Sequence, residues 1–280
     1  MMNNKTDISL IIVNRNVGTL LSQCLDTVKA AGDIGCEVII VDNASTDGSQ
    51  TMLAQKYPEV KLISNPRNLG FAAACNIGIK AASGKYPVLL NPDTVLAPVC
   101  LKSLFDFMES NPRAGIAGPK VLNPDGSIQP TCRAFPDYFN ILFARKSPIT
   151  AIWPGNHGSS RYMLHSLPDD QPSPVPALGG VCLILRREML EDTGLLEERY
   201  FMYLEDIDLC LRASQKGWPT FYVPQAKLMH HWGKSSEQEK ARMEEEHRRS
   251  MYLFFEKNHR PNIMQKIYLK TALFIHRLLT

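Results

Sequence analysis

Short apolar runs alternate with helical segments through the first 120 residues, and this alternation most limits how the chain can fold. A run such as Ile8–Val13 is long enough for a buried strand, and the next stretch repeats apolar residues at helical spacing. Strands separated by helices favour an α/β fold with a mostly parallel central sheet flanked by helices. The runs are Ile8–Val13, Glu37–Val41, Val60–Ile63, Pro87–Leu90 and Gly115–Ala117, and the helical segments include Leu20–Val28 and Phe71–Ala82.

The later part of the chain is less regular. Between Asp125 and Pro176, many Pro, Ser and Asp residues predict long loops, which either cover a site or form a poorly ordered insertion around residues 155–175. Regular patterns then return and extend to the last residues. They predict strands at Leu178–Leu185 and Thr220–Val223, and helices at Asp206–Lys216, Ser236–Lys257 and Pro261–Leu279.

The composition excludes several classes of protein. With 44% hydrophobic and 21% charged residues, a chain of 280 residues can bury a core, so disordered and fibrous structures are excluded. A net charge of +3 gives no support for nucleic-acid binding. The 7 cysteines form no CxxC pair, which indicates reduced cytosolic thiols rather than a zinc site. The polar start of the sequence predicts no secretory signal.

A carboxylate follows the second predicted strand. Asp42 comes directly after the run VIIV, and in parallel sheets ligands bind beyond the carboxyl ends of the strands. Such a carboxylate can accept hydrogen bonds from a nucleotide base or a ribose hydroxyl. Taken alone, Asp42 fits a turn or a helix cap better.

Metal-binding residues are suggested at two places. Asn91, Pro92 and Asp93 follow the strand-like PVLL, and their oxygen ligands suit Mg²⁺ or Mn²⁺, although the same tripeptide is common in turns. His230 and His231 follow another strand-like stretch. One of them can complete a metal site begun by Asp93, but a single histidine is more often structural.

An acidic cluster lies where a helix is predicted to begin. Glu205, Asp206 and Asp208 follow apolar and aromatic residues in the segment YFMYLEDIDLCLR. A carboxylate next to apolar groups can have a raised pKa and act as a general base. Acids that complement the helix dipole are the alternative, which explains one acid better than three.

Other nucleotide and hydrolase motifs are missing. The sequence has no G-x-G-x-x-G, no G-x-x-x-x-G-K-[ST] and no G-x-S-x-G. Dinucleotide-binding Rossmann folds, P-loop NTPases and serine hydrolases therefore lose their main support.

Seven segments in one order resemble the inverting glycosyltransferase family 2, and the nearest branch is similar to bacterial rhamnosyltransferases. They are SLIIVNRN, VIIVDNASTDGS, NPRNLGFAAACNIGI, LLNPDT, LGGVCLILRREML, FMYLEDIDLCLR and HHWGKSS, between residues 9 and 236. The resemblance implies the GT-A fold, a nucleotide-diphospho-sugar transferase fold, over residues 1–235. The nucleotide-binding half would be about 1–120 and the acceptor-binding half about 121–235, with a C-terminal helical extension at 236–280.

The resemblance also implies roles for individual residues. Asp206 would be the catalytic base, with Glu205 beside it, and Asp42 would contact the nucleotide base. Asp93 would bind Mg²⁺ or Mn²⁺ together with His230. The other residues that it implies in binding the nucleotide sugar are Val13, Asn14, Asn16, Asn68, Gly70, Asn76, Asn91, Pro92, Gly179 and Gly180.

Two positions depart from the family pattern. Asn91 stands where the first aspartate of a D-x-D motif is usual, and its amide offers a carbonyl oxygen without a charge. Asn14 and Arg15 stand where relatives often have Thr-Tyr. These differences weaken any transfer of metal affinity and donor identity from the family to this chain.

The implied reaction moves a sugar from a nucleoside-diphosphate donor to an acceptor hydroxyl, with inversion at the anomeric carbon. The donor would be dTDP-rhamnose or, next, a UDP-sugar, and the acceptor a glycan or lipid-linked glycan of the cell surface. A sugar-1-phosphate nucleotidyltransferase would need a Gly-rich basic loop, which VNRNVGTL lacks. A catalytically degenerate carbohydrate-binding or scaffold protein of the same fold is the other alternative, and Asn91 gives it slight support.

The last predicted helix has two interpretations. It either rests on an anionic membrane surface, or packs against the domain or a second subunit in a homodimer. It is too short and too charged to predict a membrane span. We therefore expect a cytoplasmic protein, peripheral on the inner face of the plasma membrane under the first interpretation. The apolar face comprises Ile263, Ile267, Phe274 and Leu278, with Lys266, Lys270 and Arg277 off it.

Overall fold

The computed structural model describes residues 6–31, 35–139, 162–164, 168, 170–231 and 240–279. The strands are β1 Ile8–Asn14, β2 Cys36–Asp42, β3 Lys61–Ser64, β4 Tyr86–Leu90, β5 Thr94–Leu96, β6 Ile116–Leu122, β7 Cys132–Arg133, β8 Ser173–Val175, β9 Ala177–Leu178, β10 Cys182–Leu185 and β11 Thr220–His230. The helices are α1 Gly18–Ala30, α2 Ser49–Lys56, α3 Phe71–Ala81, α4 Cys100–Ser110, α5 Arg187–Thr193, α6 Glu205–Gln215, α7 Lys240–His259 and α8 Ile263–Leu279.

A large sheet with the strand order β3-β2-β1-β4-β10-β6-β11-β5 forms the centre of the fold. The half that contains β1 to β4 is parallel, as the alternation of strands and helices predicts. The other half is mixed, because β10 runs antiparallel to both β4 and β6, while β11 runs parallel to β6 and antiparallel to β5 and β8. β7 and β9 form a separate two-stranded sheet.

Both faces of the sheet are covered, so β1 is buried along its whole length. Ile11 and Val13 face the core on the side of α3 and α6, and Leu10 and Ile12 face the core on the side of α1 and α4. Helix α3 lies very close to β1, because a Cβ atom at Gly78 would come within 2.3 Å of the Ile11 side chain. This close packing explains why the strand reads as a continuous apolar run instead of alternating.

Two predicted strands differ from those in the structure. The segment predicted as one strand at Leu178–Leu185 is broken after β9, where the paired glycines turn the backbone before β10 begins. The strand predicted at Thr220–Val223 continues to His230, because Val223 and Lys227 flank a bulge that the pattern hides. Most of the insertion predicted around residues 155–175 lies outside the described residues.

The two C-terminal helices are buried to different extents. Helix α7 places Phe254 and Phe255 in the core on the side of α3 and α6. Helix α8 buries Leu269, but its predicted apolar face is open, with Ile263 71% and Phe274 58% exposed. Across the described part of the chain, neither these nor the other helices combine the length and apolar character that a membrane crossing needs.

Candidate active site

Most of the polar residues singled out by the sequence lie along one edge of the sheet. β1, β2 and β4 run parallel, so their carboxyl ends share an edge, which brings Asn14 and Asp42 together. β10 is antiparallel to β4 and to β6, and β11 is parallel to β6, so the end of β11 reaches the same edge. Asp93 after β4, Gly180 before β10 and His230 at the end of β11 therefore share this edge with Asp42.

Asp42 is fully buried and held by neutral donors. The Asn14 side-chain amide donates to Oδ1 at 2.8 Å, and the two residues are paired across β1 and β2. The Ser45 backbone N–H and the Gln50 amide donate to Oδ2 at 2.9 and 2.8 Å. The carboxylate therefore has one fixed orientation at the end of its strand.

The loop after β1 is tied to the loop after β2. Asn16 has a positive φ of 54°, and its side-chain oxygen accepts a hydrogen bond from the Thr46 N–H at 2.7 Å. Arg15, the residue that departs from the family pattern, donates to the Asn43 carbonyl at 3.1 Å. Val13 is buried in the core, so its influence on a pocket would come through packing.

An asparagine network connects the end of β2 to the start of α3. The Asn43 amide donates to the Asn68 side chain at 2.9 Å and to the Gly70 carbonyl at 3.1 Å. Gly70 has a φ of 87°, and a Cβ atom there would come within 2.5 Å of the Phe201 carbonyl oxygen. Phe71 N–H donates to that same oxygen at 2.7 Å. The network thus joins the predicted nucleotide side to the segment that leads into α6.

Asn76, the third member of the predicted N-x-G…N element, has a different environment. Its side chain donates to the Leu196 carbonyl at 2.8 Å and to Glu198 at 2.9 Å, and it accepts from the Leu196 N–H at 3.0 Å. It is 2% exposed. These hydrogen bonds thus fix the segment before α6, while a contact to nucleotide stays a prediction.

The two predicted metal ligands meet on neighbouring strands. β5 starts one residue after Asp93 and pairs with β11, which ends at His230. His230 Nε2 lies 3.2 Å from Asp93 Oδ1, and both side chains are almost completely buried. His230 Nδ1 lies 2.7 Å from the Gln129 side-chain oxygen, while the Gln129 amide nitrogen donates to Asn123 at 2.8 Å. In the neutral tautomer that donates from Nδ1 to Gln129, the Nε2 lone pair points to Asp93, whereas an imidazolium would donate from both nitrogens.

The other two residues of the N-P-D segment position the backbone. The Asn91 N–H donates to the Val181 carbonyl at 2.9 Å, and the Asn91 carbonyl accepts from the Thr94 hydroxyl at 2.8 Å. Pro92 is buried between Asn91 and Asp93. Asn91 is partly exposed at this edge.

Asp206 lies at the start of α6 and is held by backbone donors. The Gly180 N–H donates to Oδ2 at 2.6 Å and the Ile207 N–H donates to Oδ1 at 2.7 Å. Tyr203 and Leu204, just before the helix, have positive φ angles of 72° and 66°, a backbone conformation that is strained for side chains of this size. Gly179 N–H donates to the Thr131 carbonyl, which orients the glycine turn toward Asp206.

Burial shifts the pKa values of the acid pair upward. Glu205 is 4% exposed, and its pKa is raised well above the ordinary value by burial and by the neighbouring Asp206 charge. Burial also raises the pKa of Asp206, but the Arg133 guanidinium and the two backbone N–H groups act against that rise. The surroundings therefore favour the proton on Glu205 and the negative charge on Asp206.

Asp208 has a structural role. It is completely buried and accepts hydrogen bonds from Arg212 Nε and Lys257 Nζ, both at 2.8 Å. Asn258 donates to it as well, at 3.2 Å. Asp208 therefore joins α6 to α7, and the three acids of the cluster have separate environments.

Three residues at the site were not singled out by the sequence. Gln129 orients His230, Asn43 joins the loops beyond β2, and the positive charge of Arg133 acts against the rise in the pKa of Asp206. Gln129 and Arg133 lie in the irregular segment SIQPTCRAF, where neither periodicity nor a motif distinguishes them from surface residues. Asn43 stands beside Asp42, where a strand-end amide was a usable signal.

The sequence matches a family of known enzymes. Residues 9–193 match the model described as glycosyl transferase family 2. The chain is 33% identical over 261 residues to N-acetylglucosaminyl-diphospho-decaprenol L-rhamnosyltransferase of Mycobacterium tuberculosis, which covers 89% of this chain and 84% of that protein. It is 27% identical over 206 residues to dTDP-rhamnosyl transferase RfbF of Shigella flexneri, with 72% and 62% covered.

Solved structures are similar over almost the whole chain. The mannosyltransferase PcManGT from Pyrobaculum calidifontis, in complex with GDP-Man and Mn²⁺, has a TM-score of 0.62 at 18% identity, and the match covers 98% of this chain and 70% of that one. GalNAc-T7 with UDP, GalNAc and Mn²⁺ has a TM-score of 0.59 at 17% identity, with 96% and 55% covered. At these identities the likeness describes the fold alone.

Proposed function

The chain belongs to glycosyltransferase family 2 and has the GT-A fold, and from that premise we propose that it transfers L-rhamnose, with inversion, from dTDP-rhamnose to a hydroxyl of a lipid-linked glycan. It is a glycosyltransferase, and the proposal concerns its substrates, its metal and its residues. Two relatives named as rhamnosyltransferases support the sugar, and one of them names a diphospho-decaprenol acceptor. A UDP-sugar is the second donor to test.

One observation carries the proposal. A partly exposed aspartate with a buried acid beside it, Asp206 with Glu205, lies at the same sheet edge as Asp42 and the Asp93–His230 pair. An inverting transfer needs a base, a holder for the diphosphate and a nucleotide pocket at one place, and each has a candidate here.

The donor would bind at the parallel half of the sheet. In this proposal Asp42 accepts hydrogen bonds from the nucleotide base, and Asn14 and Asn16 shape the loop around it. Asn68 and Gly70 form the neighbouring wall, where the Asn43 network fixes the backbone. The nucleotide-binding half would extend to about residue 120, and residues from about 121 to 235 would hold the acceptor.

The residues at Asp93 fit a divalent cation. A buried carboxylate oxygen and an imidazole nitrogen that lie 3.2 Å apart can both bind one ion. Within the part of the chain that the structure describes, no three His, Cys, Asp or Glu side chains form a complete metal site. We expect oxygens of the donor diphosphate as the further ligands of Mg²⁺ or Mn²⁺, because such ions are commonly bound by protein carboxylates together with substrate phosphates. When bound, the ion would neutralise the diphosphate as a leaving group.

In this proposal, a side chain of the protein removes the proton of the acceptor hydroxyl. Asp206 would take the proton of the acceptor hydroxyl while that oxygen forms a bond to the anomeric carbon. The bond from that carbon to the diphosphate oxygen breaks at the same time, and the electron pair leaves with the diphosphate. Glu205 keeps its own proton because burial disfavours a second negative charge beside Asp206. Gly180 and Ile207 hold the carboxylate in the orientation that it needs.

A panel of nucleotide sugars tests the proposal. We would measure thermal stabilisation and release of nucleoside diphosphate with Mn²⁺, Mg²⁺ or EDTA present. Binding of the correct donor should raise the unfolding temperature by mass action, and EDTA should reverse the effect. The variant Asp93→Ala should lose the metal-dependent part, whereas Asp106→Ala, on the exposed side of α4, should behave as the wild type.

Stabilisation by dTDP-rhamnose alone would support L-rhamnose as the transferred sugar. A response to UDP-sugars instead would show that the donor is a UDP-sugar. Donor binding without metal dependence would remove the proposed role of Asp93 and His230. If no donor bound or turned over with a lipid-linked acceptor present, the catalytically degenerate alternative would replace the proposal.

Helix α8 would bring the enzyme to its lipid-linked acceptor. Its outward face is apolar and unpacked, with Ile263 and Met264 both 71% exposed and Ile267 55% exposed. Lys266 and Lys270 border this face, as expected for a helix that lies on an anionic membrane surface. Peripheral contact with the membrane is therefore part of the proposed function.

Flotation with vesicles of anionic phospholipid tests this contact. The wild type should float with anionic vesicles and less with zwitterionic ones, and Phe274→Glu should reduce flotation. Val99→Glu is the matched control, because Val99 is 58% exposed on another part of the surface. Equal flotation of both variants would exclude α8 as the contact, and a concentration-dependent dimer lost in Phe274→Glu would indicate a second subunit instead.

A further inference from the structure

The backbone just before the proposed base needs support from other parts of the fold. In the 201–204 turn, Tyr203 and Leu204 both have positive φ angles, which cost free energy in residues that carry a side chain. Such a conformation persists only where surrounding contacts determine it. Helix α6 begins directly after the turn, and its second residue is Asp206. The position of the Asp206 carboxylate therefore depends on the contacts that hold the turn.

Two carbonyl groups of the turn accept hydrogen bonds from two different helices. The Phe201 carbonyl accepts from the N–H of Phe71, the first residue of α3, at 2.7 Å. The Met202 carbonyl accepts from the hydroxyl of Ser250, in the middle of α7, at 2.8 Å. The first bond comes from the side where the nucleotide is proposed to bind, and the second comes from the C-terminal extension.

Ring contacts join α7 to the residues on either side of Met202. The Arg242 guanidinium lies 4.8 Å from the centre of the Phe201 ring, close enough for the cation to be attracted to the ring. The rings of His247 and Tyr203 meet edge to face, with their centres 5.5 Å apart. Helix α7 therefore contacts three consecutive residues of the turn.

Buried charges fix α7 to the helix that carries the base. Lys257 Nζ donates to both oxygens of Asp208, at 2.9 and 2.8 Å, and Asn258 donates to the same side chain at 3.2 Å. Asp208 is completely buried, so loss of these partners would leave an unpaired charge in the core. The end of α7 is thus held on α6, and Ser250 connects the same helix to the turn at the start of α6.

The hydrogen bond of Ser250 is unusual for a serine inside a helix. Such a serine commonly faces water or donates to the carbonyl one turn back in its own helix. Ser250 is 2% exposed, and it donates instead to a carbonyl 48 residues away in the sequence. One bond therefore satisfies a buried hydroxyl and holds the centre of a strained turn.

We propose that Ser250 is a positioning residue for catalysis, which holds the 201–204 turn through the Met202 carbonyl and thereby orients Asp206. The inference rests on the proposed role of Asp206 as the base. It adds a residue from α7, which lies outside the seven family-like segments and outside the family match at residues 9–193.

The expected effect is a loss of turnover without a loss of donor binding. Ser250→Ala removes the hydroxyl and adds no atom, so the turn loses this bond and Asp206 is held less firmly. Because a displacement of about 1 Å in a catalytic group can cost about 10²-fold in rate, kcat should fall about 10–100-fold. Donor affinity should change little, since the bond from Phe71 to the Phe201 carbonyl is unaffected.

Two further variants separate positioning from general stability. Ser250→Thr keeps the hydroxyl and should keep most of the wild-type kcat. Ser173→Ala removes another buried hydroxyl, which donates to the Gln171 carbonyl, and it should leave kcat unchanged. Ser173 lies in β8, which pairs with the end of β11 opposite to His230. The rates are measured well below the unfolding temperature of each variant, where a loss of stability alone does not lower kcat.

Hydrogen exchange of the free enzyme gives a second measurement that needs no substrate. In Ser250→Ala, amides from the 201–204 turn to the first residues of α6 should exchange faster. They include the Ile207 N–H, which donates to Asp206. Exchange in β1 and β2 should stay as in the wild type, and Ser173→Ala should leave exchange in the turn unchanged.

The outcomes separate this inference from the proposed function. Wild-type exchange in the turn of Ser250→Ala would overturn the inference, whatever the enzyme turns over, and so would faster exchange with unchanged kcat. An equal loss of kcat in Ser173→Ala would also overturn it, because the effect would then be general destabilisation. If Ser250→Thr fails to fold, the two alanine variants still decide, since neither adds an atom. If the wild type transfers no sugar, the proposed function fails, while hydrogen exchange still tests whether Ser250 holds the turn.

Discussion

Two aspartates at the same edge of the sheet are held in different ways. Asp42 ends a regular parallel strand, and its oxygens accept hydrogen bonds from three neutral donors on Asn14, Ser45 and Gln50. Asp206 follows two residues with positive φ angles and lies beside a buried acid whose Oε2 has no hydrogen-bond partner within the described residues. The first carboxylate is satisfied by its surroundings, and the second is placed among competing charges.

The two environments suit two different functions, ligand binding and proton transfer. A group that only binds a ligand gains from a fixed orientation, which regular strands and neutral donors give. A group that accepts a proton needs a pKa near the working pH, which burial and neighbouring charges supply at a cost in stability. We therefore expect changes at the Asp42 side to alter donor affinity, and changes at the Asp206 side to alter turnover.

The largest expected effect is at Asp206. Asp206→Asn removes the proton acceptor but keeps the shape of the side chain, so kcat should fall about 10²–10⁴-fold while donor affinity is retained. Asp42→Asn should instead lower donor affinity and leave kcat unchanged. The amide weakens hydrogen bonding to the nucleotide by about 1.5–3 kcal/mol, while the proton acceptor Asp206 is intact. Steady-state kinetics with titration calorimetry of the donor would measure both variants. Near-normal turnover in Asp206→Asn would show that another group is the base.

The next effect is at Gly70, where the two regions touch. A methyl group there would collide with the Phe201 carbonyl, and φ of 87° with ψ of 170° is a conformation that is almost restricted to glycine. Gly70→Ala should therefore lower the free energy of unfolding by about 3 kcal/mol. Gly48→Ala is a matched control, since φ is 85° but no atom lies within 4 Å of the added methyl, and it should lose only about 1–2 kcal/mol.

Urea denaturation of the two glycine variants would give both values. Equal losses would mean that the contact between Gly70 and Phe201 adds nothing, and that the donor side and the segment before α6 are less closely joined than the structure indicates. A larger loss in Gly70→Ala, together with lower turnover, would show that the position of α6 depends on this contact.

A smaller effect is expected at Gln129, which touches no substrate in the proposed reaction. Gln129→Leu removes the acceptor that fixes the His230 tautomer, so affinity for Mn²⁺ in the presence of donor should fall about 10–100-fold. Gln225→Leu is the control, since Gln225 donates to the Asp170 carbonyl on the surface. Mn²⁺ titration followed by electron paramagnetic resonance would measure the affinity. Unchanged affinity in Gln129→Leu would argue that His230 does not bind the metal.

The parallel half of the fold was predictable because its central strands are buried on both faces. Such strands read as continuous apolar runs, so β1, β2 and the residues after them could be placed from the pattern of apolar residues alone. Helix α3 begins at Phe71 as predicted. For the same reason Asp42 could be assigned to the edge where ligands bind.

The strand order of the other half could not be predicted, because it depends on contacts between residues that are distant in sequence. β10 is inserted antiparallel between β4 and β6, and no local pattern shows with which strand a segment pairs. Gln129 acquires its role only when β11 brings His230 against it, from 101 residues away in the sequence. The motifs predicted roles for individual acids, but not which side chains surround them in the fold.

The last prediction concerns Glu205, and it tests the division of charge within the acid pair. The pKa of Glu205 is raised in the folded state, so an unfolded chain releases this proton first as the pH rises. Wild-type stability should therefore fall relative to Glu205→Gln from about pH 4.3 upward, by about 1.4 kcal/mol for each unit of pKa shift, until the folded state also ionises. Urea denaturation at about pH 5 and pH 8 measures this difference, with the exposed Glu188→Gln as the control. A difference that stays constant between the two pH values would mean that Glu205 is already charged in the folded enzyme, and the contrast between a satisfied Asp42 and a charge-coupled Asp206 would lose its physical basis.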